Sequence, residues 1–397
     1  MPSRNGPPRH IYEVLRPMLI FSKIFGFTAF HIEGEPPHVQ VKVTGIDSAA
    51  LLLNFIANSF CVYLNAAKYD GLLRTSSSVV MDTGLGFLFS FGAFVMIMLA
   101  IDNFLRRSYT CDIIAKLFDV DRSLRRKNGQ MDHLSVEFRL LSRILIIMFG
   151  FLGLGVVFSI AMAFVSNFSV RLHAINAFSY ALTGLQFLIV NFHFVSTAQL
   201  ITHRLIAIER CFRAHLTAES WWIVQKDRWN RNKTSNIDVI SELADDFAAL
   251  VRIVELVNRV FSNQIIVLIS GVGMFSIFVI YACSYSYYFG KTEELHLAAI
   301  LLMAWLFYIV MVGLIFSSGV SVTNAASGFN CILNEAIQSV NDEATKKKMI
   351  HFSHQSLHRE PKLHSIFCNF TWQSMFNMIG IAMTYLVILM QFDVISD

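Results

Sequence analysis

Three histidines, His351, His354 and His358, recur at spacings of three and four, which places them on one face of a helix. That spacing is compatible with a metal, but the segment is polar and no acid is placed to complete a site. They read as solvated histidines. The six cysteines (Cys61, Cys111, Cys211, Cys283, Cys331 and Cys368) never form a Cys-x-x-Cys pair, so neither a zinc site nor a disulfide framework is readable. No nucleophile elbow, His-Glu-x-x-His pair or phosphate-binding glycine loop occurs. Catalytic residues, metal ligands and cofactors are accordingly assigned as none. What remains lies near the carboxyl end: Thr384-Tyr385, five apolar residues, then Gln391-Phe392. The same run carries Asn369, Gln373, Ser374 and Asn377 and no charge. Neutral polar side chains on an otherwise apolar helix suit a surface that meets water inside a membrane.

Such residues need membrane helices to position them, and the composition supplies these. Of 397 residues, 55% are hydrophobic and only 15% charged, with 36 phenylalanines. A soluble domain carries about 25% charged residues, so a soluble enzyme and a disordered chain are both excluded. About 20 apolar residues cross a bilayer, and seven runs qualify: 46–66, 79–101, 144–165, 175–201, 264–288, 295–320 and 366–392. None contains Lys or Arg, and Asp47 and Asp82 fall at edges where water is reachable. Of the 32 basic residues, 28 lie in 1–45, 102–143, 202–263 and 321–365. The positive-inside rule therefore places the amino terminus in the cytoplasm and the carboxyl terminus outside. A net charge of +4 is too small to suggest nucleic acid.

The fold class expected is an all-α membrane protein of seven transmembrane helices, extended into a cytoplasmic bundle. Residues 1–45 form a cytoplasmic segment with an interfacial helix over the apolar run Pro17–Phe30, which is too short to span and is interrupted by Lys23. Residues 46–320 form a six-helix bundle that includes the connections 102–143 and 202–263. Within the latter, Ile240, Leu243, Phe247, Leu250, Val251 and Val254 share a helical face. Residues 321–365 form a cytoplasmic anchor segment with a second helical pattern over 330–358, 366–392 the seventh helix and 393–397 an outer tail. Glycine clusters (Gly150, Gly153, Gly155; Gly271, Gly273) suggest close helix packing.

Seven spans first suggest a G-protein-coupled receptor, but that class has its amino terminus outside and kinks its helices at proline, whereas all seven prolines here lie outside the spans. Glu209-Arg210-Cys211 follows span 4 and reads as a solvated helix end. A secondary transporter needs broken helices and intramembrane charge. The enzyme alternative is an inverted seven-span membrane enzyme or signalling receptor of the zinc hydrolase type. It needs several intramembrane histidines, and only His193 lies well inside a span.

The run Thr384-Tyr385-Leu386-Val387-Ile388-Leu389-Met390-Gln391-Phe392 resembles the TYhhhhhQF signature of insect gustatory receptors at all nine positions, and it sits at the end of the seventh span. The resemblance extends to the architecture of short outer loops and long inner segments. It implies a tetrameric, ligand-gated, non-selective cation channel whose seventh helices line the pore, with Thr384, Tyr385, Leu389, Gln391 and Phe392 at the gate. It also implies the plasma membrane of sensory neurons, in a homotetramer or a heterotetramer with related receptors. Members tuned to sugars often carry an acid directly after Thr-Tyr. Leu386 stands there, so the resemblance favours a bitter or aversive tastant.

Aromatic and polar residues on the outer halves of the other spans are the candidates for binding a small, mostly flat organic tastant. They are Phe87 and Phe91 of span 2, Phe158 of span 3, Tyr180 and Gln186 of span 4, Tyr281 and Tyr285 of span 5, and Trp305 and Tyr308 of span 6. Trp221, Trp222 and Trp229 belong to the inner bundle or the interface, where membrane lipid is the other partner. Asn167, in the sequence Asn167-Phe168-Ser169, is the candidate glycosylation site. The sequon at Asn232 is cytoplasmic and the one at Asn369 is buried in span 7, so both should be silent.

Overall fold

The computed structural model describes residues 11–28, 31–33, 40–67, 79–128, 133–165, 170–221, 229–289, 292–340 and 342–396. The sequon at Asn167 and the side chains of Trp221, Trp222, Trp229 and Asp82 lie outside what is described. Among the described residues ten helices run in order: α1 (Ile11–Ile24), α2 (Gly45–Ala67), α3 (Val79–Leu105), α4 (Arg107–Asn128), α5 (His133–Val165), α6 (Val170–Trp221), α7 (Trp229–Phe289), α8 (Thr292–Ser339), α9 (Glu343–His358) and α10 (Trp372–Ser396). A small antiparallel hairpin, β1 (His31–Glu33) paired with β2 (Gln40–Lys42), follows α1. Among the described residues five helices are long and apolar enough to cross a membrane, and α3 and α10 add shorter apolar stretches, Ser90–Leu105 and Trp372–Ile388.

Helices α6, α7 and α8 have 52, 61 and 48 residues. At about 1.5 Å per residue each is far longer than a bilayer, so their basic ends continue into the cytoplasm. They pack there because a 3.6-residue apolar stripe persists past the membrane. Ile240, Leu243, Phe247, Leu250, Val251 and Val254 of α7 are all buried. Phe247 stacks on Phe329 of α8 at 5.4 Å, and Phe352 of α9 meets both rings. Asp342 caps α9 by accepting from the Thr345 amide and hydroxyl, which turns the chain back beneath α8.

Several expectations are corrected. The seventh helix starts at Trp372, not at 366. Ile366, Phe367 and Phe370 extend the apolar run, but Ser365 Oγ accepts from the Phe367 and Cys368 amides, and Thr371 caps the helix by accepting from the Ser374 amide. Asn369 therefore precedes the helix and is exposed. The first helix covers Ile11–Ile24, not Pro17–Phe30, and the chain leaves it through a turn at Gly26, whose φ of 72° only glycine adopts cheaply. A side chain there would also strike the Ala50 carbonyl of α2. Asp47 is not at a wet edge. It is fully buried, bridged to Lys23 Nζ at 2.6 Å, and it accepts from the Thr44 amide and hydroxyl. Of the grouped glycines only Gly155 makes a close approach. Gly150, Gly153, Gly271 and Gly273 face open space.

Candidate functional site

The outer half of α6 presents Tyr180, Thr183, Gly184 and Phe187 at spacings that place them on one side. Two small residues let neighbours close in. A Cβ at Gly155 of α5 would sit 2.6 Å from Tyr180 Oη, and one at Gly184 would sit 2.7 Å from Leu152 Cδ1 of α5. Tyr308 of α8 fills the resulting hollow. Its ring stands edge-on to Phe187 at 4.9 Å, to Phe275 of α7 at 5.5 Å and to Tyr180 at 6.5 Å. These perpendicular arrangements suit aromatic quadrupoles. The same stretch of α6 also carries polar groups with nothing to bind. Tyr180 Oη and both amide atoms of the fully buried Gln186 lack a hydrogen-bond partner. An unpaired polar group in a dry interior costs about 1–3 kcal/mol, so such groups mark a place where a hydrogen-bonding molecule would be welcome. Gln186 lies about 240° round α6 from Tyr180, so the two open onto different sides of that helix.

The other expected ligand residues divide. Tyr281 and Tyr285 of α7 stack at 6.2 Å and form a second buried cluster with Leu301 of α8 and Leu386 of α10. Trp305 packs against that cluster and donates its indole N–H to Ser276 Oγ at 2.8 Å. Phe275 touches both clusters. Phe87 and Phe91 stack on one another along α3, Phe87 being exposed, and Phe158 is half-buried on α5. His193 is solitary, its Nε2 without a partner. Among the described residues no three His, Cys, Asp or Glu side chains come together as a metal site would need, and His351, His354 and His358 are exposed along α9.

Helix α10 has two unlike sides. Met375, Met378, Ala382 and Leu386, at spacings of three and four, lean on the bundle, and Leu386 is its one buried side chain among the described residues at 4% exposure. On the opposite side Gln373, Asn377, Gly380, Thr384 and Gln391 form an exposed neutral polar row. Thr384 donates its hydroxyl to the Gly380 carbonyl at 3.0 Å. Tyr385 is 58% exposed and Phe376 66%. The side chains of Leu389 and Phe392 lie outside the described set.

The foot of α10 is held firmly. Phe370 is buried among Phe194 of α6 at 5.4 Å and Phe316 of α8 at 6.0 Å. Its backbone lies so close to Gly319 of α8 that a Cβ there would be 2.7 Å from the Phe370 carbonyl oxygen. Asn258 of α7 donates to the Lys362 carbonyl and accepts from the His364 amide, clamping the linker.

Composition and spacing also gave no warning of a buried ion cluster on the cytoplasmic side. Arg204 of α6 donates two hydrogen bonds to Asp121 of α4, both 2.9 Å, and one to Glu137 of α5 at 2.5 Å. Lys127 of α4 bonds Asp246 of α7 at 2.6 Å. On α4, burial pushes the Cys111 thiol up to about 11, and the Asp112 carboxylate adds to the shift. That thiol stays protonated and unreactive at neutral pH.

Long apolar helices, a polar-faced last helix and a densely packed basic end define a multi-pass membrane protein in class. The chain belongs to the 7tm chemosensory receptor family, which it matches over residues 15–396. The fold is similar to that of the insect olfactory receptor OR5 from Machilis hrabei, with a TM-score of 0.69 at 10% identity, covering 96% of this chain and 98% of that one. The same receptor in complex with eugenol gives a TM-score of 0.64 at 10% identity and the same coverage. No curated protein sequence matches the chain. Membership in a chemoreceptor family removes the zinc hydrolase alternative.

Proposed function

We propose that this receptor is a gustatory, ligand-gated, non-selective cation channel in the plasma membrane of sensory neurons, assembled as a homotetramer or with related subunits around α10. The observation that carries this reading is the two-sidedness of α10. A lone helix with Gln373, Asn377, Thr384 and Gln391 aligned and exposed opposite a packed face is built to meet water on one side. Copies arranged about an axis would turn that row inward and cover Phe376 and Tyr385, which a single chain leaves exposed. The complete TYhhhhhQF run supports the gustatory branch.

The ligand site proposed is the Tyr180–Tyr308 cluster. Its edge-on rings and the unpaired Tyr180 hydroxyl suit a flat, weakly polar organic molecule, and the related receptor was solved with eugenol. Leu386 favours a bitter or aversive compound over a sugar. It is buried among apolar and aromatic neighbours, where a carboxylate would be costly. Phe87 and Phe91 border lipid in this reading, and Asn167 is the proposed glycan site. The test is expression of the full chain in a cell without added G protein, with a panel of aromatic bitter compounds applied. A cation current that survives blockade of G-protein signalling is expected, with a four-fold axis through α10 in images of the purified protein. Current abolished by that blockade, or an assembly with α10 facing lipid all round, would overturn the proposal.

A further inference from the structure

We infer that the elbow between α3 and α4, together with the adjoining turn of α7, holds the headgroup of an acidic phospholipid on the cytoplasmic side of the membrane. The inference goes beyond the channel reading above and draws on a different part of the molecule. The depth of the site follows from the apolar stripes on two helices. On α3 the exposed side is Phe94, Met98, Ile101 and Leu105, a row suited to lipid. It stops at Leu105, and the next two residues are Arg106 and Arg107. On α7 the exposed side passes from Met274 and Val267 to Asn263 and then to Arg259. Arg106 donates to the Arg259 carbonyl, which fixes these two turns at a common level. Both stripes therefore change from apolar to basic where hydrocarbon gives way to headgroups.

The cluster is short of acid. Arg106 pairs with Asp102 at 2.7 Å, and Gln264 of α7 donates to the other Asp102 oxygen, also at 2.7 Å, so this pair fixes the elbow. Among the described residues Arg107 and Arg259 pair with no carboxylate, and each lies over a ring instead. The Arg107 guanidinium carbon is 4.4 Å from the Phe104 centroid, and that of Arg259 is 5.8 Å from the Tyr109 centroid. A ring occupies the flat side of a guanidinium and leaves the in-plane N–H donors that grip a phosphate. Helix α4 begins at Arg107, so the positive end of its backbone dipole lies at the same level, beside the exposed Ser108. The exposed acids Asp112 and Glu255 stand a turn or more deeper. Two uncompensated guanidiniums next to lipid-facing side chains fit a phosphate that carries acyl chains. A free phosphate would gain nothing from the apolar border, and a zwitterionic headgroup brings a cation that the cluster repels.

The test titrates the full receptor, purified in neutral detergent, with a fluorescent short-chain phosphatidylinositol bisphosphate and follows binding by polarisation. Saturable binding is expected, weakened by salt. Unlabelled phosphatidylinositol bisphosphate and, less tightly, phosphatidylserine should displace the probe, and phosphatidylcholine should not. Arg107→Gln and Arg259→Gln should each weaken binding about fivefold. Arg107→Lys and Arg259→Lys keep the charge and should stay within about twofold of wild type. Arg252→Gln, on the same exposed stripe of α7 but roughly 10 Å deeper, removes an equal charge and should leave binding unchanged. Equal displacement by phosphatidylcholine, or an equal loss in Arg252→Gln, would overturn the site. Inorganic phosphate displacing the probe as well as the unlabelled lipid does would reveal an anion site indifferent to acyl chains and overturn the lipid assignment. A loss that lysine fails to restore would mean a damaged elbow, not a missing charge, and would overturn it too. The readout needs no current, so failure of the channel reading would leave this result standing.

Discussion

The cytoplasmic ends of α6 to α9 and the membrane stretch of α10 are built on opposite principles. Around Phe329 the rings of Phe212, Phe247 and Phe352 are all fully or almost fully buried, and the ion cluster on Arg204 ties α4 and α5 to α6. Helix α10 buries one side chain among the described residues. The free energy of local opening is lowest where buried contacts are fewest, so the inner bundle is a frame and α10 is the more lightly held part. That part also carries the polar row. A sensor needs that division, because a stimulus worth a few kcal/mol can re-set a lightly held element but not a dense core.

The contrast can be broken most forcefully at Arg204. Arg204→Ala strands Asp121 and Glu137 as buried charges, and losing one partner of such a cluster costs about 3–5 kcal/mol. The expected outcome is near-complete loss of surface protein and a large drop in the melting temperature of purified receptor. A variant that traffics normally would show the frame to be much softer than its packing implies. Phe329→Ala empties the centre of the ring cluster and should cost about 3–5 kcal/mol by the same melting measurement. Next comes Gly319→Ala, where the added methyl must push the Phe370 backbone aside. Overpacking of this kind costs about 1–3 kcal/mol, and the conductance per surface channel should change along with stability because the foot of α10 shifts. Tyr180→Phe removes a buried hydroxyl that has no protein partner, so stability should stay within about 0.5 kcal/mol or rise slightly. Sensitivity to a hydroxyl- or ether-bearing aromatic agonist should fall, read as a rightward shift of the concentration–response curve. The smallest stability effect is expected for Asn377→Ala, on the exposed row. Melting should move by less than about 0.5 kcal/mol while single-channel conductance changes.

The same contrast governs what the sequence alone could reveal. The buried face of α7 from Ile240 to Val254 was legible because a regular helix repeats its apolar residues every three or four positions whether lipid or protein covers them. The seven-span fold was legible for a similar reason: hydrophobic length is a local property. Features that depend on two distant segments meeting were not. Asp47 read as a wet edge residue because nothing nearby announced Lys23. The linker from Ile366 to Phe370 read as helix because hydropathy cannot tell a ring facing lipid from a ring wedged beneath Gly319. Five glycines looked like packing seams, yet only Gly155 of them is one; the other close approaches fall at Gly26, Gly184 and Gly319, which only their partners identify. In the candidate site, Tyr180 and Tyr308 were identified individually from topology, but their meeting, and the separate grouping of Tyr281, Tyr285 and Trp305, came from the packing. Leu386 was noted for the acid it lacks, and its burial supplies a physical reason for that lack.

The hydrogen bond from Thr384 to the Gly380 carbonyl has a consequence for charge selection. Because the hydroxyl proton is committed to the helix's own backbone, the oxygen presents only its lone pairs to whatever passes. Set in a ring, such oxygens can replace part of a cation's hydration shell and offer a chloride ion nothing. A preference for positive ions can therefore arise from the polar row of this helix, none of whose side chains is a carboxylate.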